Sequence, residues 1–154
     1  MAKRAPIYTY TTRAKVVLAL AIIIVMALLA WIADHFNSPI PIYMYVVVGI
    51  FIYYFSIARA APFGDRLRVK VVLGKRREYF VSQGTFSLES KPSLIASLLG
   101  SPKGLRIVYT QEGKHPVVVM NELFSEKVIT EIYEFMAYSQ NEYHKSLELE
   151  GAVA

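Results

Sequence analysis

Two uninterrupted apolar runs dominate the hydrophobic pattern. Residues 16–33 (VVLALAIIIVMALLAWIA) and 40–58 (IPIYMYVVVGIFIYYFSIA) carry no charge, and only DHFNSP, residues 34–39, separates them. As helices they would span roughly 27–29 Å, which matches a hydrocarbon core of about 30 Å. The pattern predicts a transmembrane helical hairpin over 16–58, with the polar break as a tight external turn. Pro39 and Pro41 open the second run, where a missing N–H costs a helix little.

Beyond residue 58 the period shortens. AAPFGD (60–65) reads as part of a linker over 59–65, with Pro62 and Gly64 breaking the helix. RLRVKVVL (66–73) alternates as a half-buried strand does, GKRR (74–77) reads as a turn, and EYFVSQ (78–83) and TFSLES (85–90) read as short strands. LRIVYTQ (105–111) and PVVVM (116–120) predict a hairpin about EGKH. A short helix is expected over 92–99, with Leu94, Ile95, Leu98 and Leu99 on one face and Gly100 as its stop. A longer one is expected over 122–139, with Asn121 as N-cap and an apolar stripe of Val128, Ile129, Ile132, Phe135 and Met136. The chain thus divides into a basic N-terminus (1–15), the hairpin (16–58), the linker (59–65), a small antiparallel β domain with a C-terminal amphipathic helix (66–140), and a tail (141–154) disordered without a partner.

Charge gives the hairpin a direction. Residues 1–77 hold 11 Lys/Arg and 2 acids, whereas 78–154 hold 6 Lys/Arg and 10 Glu. Both flanks of the hairpin are basic and its turn has no Lys or Arg, so the positive-inside rule puts both termini in the cytoplasm. The expectation is a multi-pass protein of the plasma (cytoplasmic) membrane. Trp31, Tyr43 and Tyr45 would form an outer aromatic belt, Tyr53 and Tyr54 an inner one, and Tyr8 and Tyr10 would sit at the interface.

Candidate chemistry is sparse. There is no cysteine, and His35, His115 and His144 lie in separate segments without metal-ligand spacing. No hydrolase, P-loop or dinucleotide motif occurs, and neither apolar run holds an ionisable group of the kind a transport pathway uses. The sequence therefore predicts no enzyme, no cofactor and no metal. Two surfaces remain. The juxtamembrane cations Arg59, Arg66, Arg68, Lys70, Lys75, Arg76 and Arg77 either fix topology or bind anionic lipid headgroups. Glu126, Glu131 and Glu134 form an acidic helix face, either solvated or docking a partner subunit. The acidic balance of residues 78–154 argues against nucleic acid.

The order of hairpin, strands and closing helix, with the stretch SLIASLLGSPKGLRIV (93–108), resembles the bacterial-type pleckstrin-homology domain of small prokaryotic two-span membrane proteins. The resemblance implies a seven-stranded curled sheet plugged by the C-terminal helix, where periodicity alone marks about five strands. It also implies binding or scaffolding rather than chemistry. The function expected is a non-catalytic accessory or scaffold subunit of a membrane complex. The alternatives are a sensor of anionic lipid surfaces and, third, a membrane enzyme.

Overall fold

A computed structural model describes residues 6–36, 40–70 and 75–153. Helix α1, Thr12–His35, has 24 residues and is long and apolar enough to cross a membrane. It starts inside the expected basic tail because Thr11 caps it, its hydroxyl accepting from the Ala14 N–H at 3.1 Å. Helix α2, Ile42–Ser56, packs on α1 where Gly49 meets Met26 and Ile22. It is shorter than the apolar run that encodes it: 15 residues rise about 22 Å. Pro41 stays extended before it, and Ile57 turns extended after it because the chain goes directly into a sheet. Residues 37–39 of the expected external turn lie outside the described residues.

The expected linker is a strand. Strand β2, Arg59–Pro62, pairs antiparallel with β3, Arg66–Lys70, and β3 pairs with β4, Arg76–Phe80. On the other side of β2 lies β1, Tyr8–Thr9, contributed by the N-terminus ahead of both helices. The sheet order is β1-β2-β3-β4. The end of the strand expected over 66–73 and the start of the GKRR turn lie outside the described residues. Arg76 and Arg77 belong to β4, and the stretch expected to end a strand at residue 83 instead closes in a 3-10 turn, Val81–Gln83.

A second sheet has β5, Thr85–Ser90, β6, Leu105–Thr110, and β7, Val117–Met120, in that order. Helix α3, Leu94–Leu98, lies between β5 and β6. Helix α4, Glu126–Val153, packs on both sheets. It begins later than expected: Asn121 forms a turn, its carbonyl accepting from the Phe124 N–H at 3.0 Å, and the Ser125 hydroxyl accepts from the Val128 N–H at 3.2 Å. It also runs on through the expected tail to Val153.

The core joins these parts. Leu67, Val69, Phe86, Ile107, Met120 and Phe124 are buried with Ile129, Ile132 and Met136 of α4. Val128 is only half-buried and Phe135 is exposed, so the apolar stripe is narrower than expected. Tyr10 is not interfacial. It is buried in this core, edge-on to Phe124 with ring centroids 5.0 Å apart. Ala14 of α1 and Ala58 after α2 are buried there too, and the Thr11 N–H donates to the Leu123 carbonyl at 3.0 Å. The two apolar helices therefore enter the β domain without a spacer.

Candidate anionic-ligand interface

Strand alternation sorts the basic cluster by face. Leu67 and Val69 of β3 point into the core, so Arg66, Arg68 and Lys70 point out. Register then aligns neighbours from the adjacent strands. Arg59 of β2 stands opposite Lys70, and Lys70 opposite Arg76 of β4. Three cations thus form one row across three strands. Directly opposed residues have Cβ atoms about 4.5–5.5 Å apart, and like charges so placed repel.

The next row includes a carboxylate. Ala61, Arg68 and Glu78 are aligned, and the Glu78 carboxylate accepts from Arg68 Nε at 2.7 Å and from Arg66 Nη1 at 3.3 Å. Phe63 lies under both guanidiniums, 4.9 Å from that of Arg68 and 5.8 Å from that of Arg66. Arg66 also lies 5.5 Å from the Phe80 ring. These side chains are about one-third exposed, so the ion pairs contribute modestly to stability and serve mainly to orient Arg66 and Arg68.

The face therefore carries five cations; Glu78 pairs with Arg66 and Arg68, Asp65 lies 3.7 Å from Arg66, and among the described residues no carboxylate lies within ion-pair distance of Arg59 or Arg76. Arg59, Arg68, Lys70 and Arg76 line one shallow groove with Phe63, Ala61 and Ile7. The groove sits where the apolar helices end. Arg59 follows α2 by three residues, and its other neighbour in the sheet, Thr9, precedes α1 by the same number.

Of the seven cations expected to act together, four line this groove and Arg66 stands beside it. Arg77 points to the opposite side of β4 and lines a separate cleft with Tyr109, Lys114 and His115, and Lys75 is exposed ahead of β4. Phe63, Glu78 and Ile7 were missed. Phe63 was hidden in the expected linker, and the role of Glu78 depends on a register that no local pattern reveals.

The expected acidic docking face is divided as well. The Glu126 carboxylate turns into the protein, accepting from the Ser101 hydroxyl at 3.2 Å and the Lys103 N–H at 2.8 Å. Glu131 lies 3.9 Å from Lys127, and Glu134 is exposed. His35 stacks near Trp31, and His144 lies on α4 beside Tyr143. Burial raises the pKa of Tyr109, whose hydroxyl donates to the Phe80 carbonyl at 2.9 Å, and that of Tyr10, where a backbone hydrogen bond with Ala58 opposes the rise.

Compared with known proteins, the chain matches no family model, no curated protein and no solved structure.

Proposed function

We propose that this is a membrane-anchored, non-catalytic binding protein whose sheet β1–β4 holds anionic lipid headgroups at the cytoplasmic surface. The observation that carries the reading is the aligned row Arg59, Lys70, Arg76, three residues beyond the end of α2. An anion in the groove would meet several of these cations at once, and each cation near a charged surface contributes on the order of 1 kcal/mol. In this reading both helices span the plasma (cytoplasmic) membrane and both termini are cytoplasmic. The short α2 is compatible with a second crossing. Ile40, Pro41 and Ile57 flank it and are apolar, and three residues near 3.3 Å each bring about 22 Å to about 32 Å. Among the described residues, seven strands in sheets of four and three, packed on a C-terminal helix, support the pleckstrin-homology-like reading of the β domain.

The test is native mass spectrometry of the full chain in neutral detergent, titrated with phosphatidylglycerol or phosphatidylcholine. The expected result is preferential retention of phosphatidylglycerol, weakened roughly thirtyfold in Arg59→Gln/Arg76→Gln by the loss of about 2 kcal/mol. Equal retention of the two lipids by the unsubstituted chain would exclude the reading. Arg66 and Arg68 are unsuitable targets because they hold Glu78.

A second reading, an accessory or scaffold subunit of a membrane complex, is favoured by α4. Its distal part leaves Tyr138, Leu147 and Leu149 exposed, with Glu134 exposed one turn before Tyr138. Purification from native membranes in mild detergent, with co-purifying proteins identified by mass spectrometry, tests it. Stoichiometric partners would support it and a lone chain would not.

A further inference from the structure

Helix α3 is turned the opposite way from a core helix. Ala96 and Leu99 face inward, whereas Leu94 is 86% exposed, Ile95 65% and Leu98 74%. Of the four residues expected on one apolar face, three are presented outward and Leu99 is buried. Three neighbouring aliphatic side chains on one short helix form a patch that water solvates poorly.

The fold holds this patch at a defined place. Ser93 caps α3, its hydroxyl accepting from the Ala96 N–H at 3.0 Å. The loop is closed behind it by Lys91 N–H to the Gly104 carbonyl at 3.1 Å, by the Ser90 hydroxyl to the Lys103 carbonyl at 2.7 Å, and by the Glu126 contacts. The turn that ends α3 rests on the first turn of α1. Gly100, with φ of 84°, is so close to Arg13 that a Cβ there would stand 3.2 Å from Nη1 and 3.4 Å from Cδ. Arg13 precedes Val16, the start of the exposed apolar surface of α1, by about one turn. Helix α3 is about 7.5 Å long, so its exposed aliphatic side chains stay within about two helical turns of that contact. Arg13, Lys91 and Lys103 around the patch are all exposed.

We infer that α3 is an interfacial foot: Leu94, Ile95 and Leu98 seat at the boundary of headgroups and acyl chains in the leaflet that α1 enters. Arg13, Lys91 and Lys103 then lie among the phosphates, an arrangement of apolar wedge and basic rim suited to an anionic bilayer. The inference rests on the membrane reading of α1 and adds a second contact to the cationic groove. Together the two contacts fix how the domain is tilted on the surface. The bilayer is the occupant the geometry favours, because the turn that ends α3 lies against Arg13, about one turn before the exposed apolar surface of α1 begins.

The test uses full-length protein reconstituted in phosphatidylcholine–phosphatidylglycerol vesicles whose chains are brominated near the ester end. Trp31 is the chain's one tryptophan and reports on α1. Leu98→Trp, made in a Trp31→Phe background, reports on α3, with Leu94→Trp as a second site and Lys114→Trp, on the β6–β7 turn, as the water-exposed reference. The expected result is blue-shifted emission from position 98 that loses intensity with brominated lipid, while position 114 keeps water-like emission. If position 98 stays water-like while Trp31 is quenched, the foot is overturned and the anchor stands. If position 98 is blue-shifted without quenching, a protein surface covers it and the inference is also overturned. If Trp31 itself is unquenched, the membrane reading fails and the inference falls with it.

Discussion

Tyr10→Ala tests whether the N-terminus belongs to the β domain. Tyr10 precedes α1, yet it is 8% exposed in the core and edge-on to Phe124 at 5.0 Å. Truncation removes the transfer free energy of an aromatic ring and leaves a cavity between Phe124 and the buried Ala58, a loss of roughly 3–5 kcal/mol. The aromatic pair accounts for about 0.5–1.5 kcal/mol of that. A domain near 100 residues changes its midpoint by about 4–8 °C per kcal/mol, so the transition should fall by roughly 20 °C. Tyr10→Phe keeps the ring and should lose only about 1 kcal/mol. The assay is pulse proteolysis across a urea series in mild detergent, reading cleavage within the β domain. If Tyr10→Ala shifts stability by less than about 1 kcal/mol, β1 is not part of the domain and the stitched arrangement is wrong.

Three further outcomes follow from the packing. Ile132→Asp places a carboxylate where the side chain is 1% exposed, and the same assay should find the domain unfolded without denaturant. Gly104 has φ of 56° and its Cα lies against the Lys91 carbonyl, so Gly104→Ala should destabilise the α3 loop and raise hydrogen exchange at Ala96 and Gly104 while leaving the first sheet protected. Tyr10 and Tyr109 bind their protons more tightly in the folded state, so the stability they confer is complete below pH 10 and is lost as pH rises past it. Denaturation midpoints measured on either side of pH 10 should show the fall, and Tyr109→Phe should reduce it.

What the sequence reveals depends on whether the partner of a residue is local. The long apolar run of α1 is legible from its length and lack of charge, the strand Thr85–Ser90 from its alternation, and the β6–β7 hairpin because its strands are neighbours in the chain. Strand β2 is not legible: RAAP has small residues and a proline, hence no alternation, and Pro62 is tolerated at the strand end. Strand β1 has only two residues, and its partner lies beyond both helices. Helix α3 misleads for another reason. Hydrophobicity says only that a side chain avoids water, and a core and a lipid face satisfy that equally. The charges of the site are plain in the sequence, but their division is not. Arg76 and Arg77 are adjacent in the chain and lie on opposite faces of β4, and only the register with Lys70 shows which one joins the row.

The central claim, that the cationic face of β2–β4 meets anionic headgroups, is tested most directly at Ala61, which lies on that face opposite Arg68. The chain has no cysteine, so Ala61→Cys accepts a single spin label. Power saturation in vesicles, with nickel chelated either to lipid headgroups or in solution, reads which phase surrounds the label. Relaxation dominated by headgroup nickel in phosphatidylglycerol vesicles, reduced by Arg59→Gln/Arg76→Gln, is the predicted result. Relaxation dominated by soluble nickel, equal in phosphatidylglycerol and phosphatidylcholine vesicles, would contradict the account.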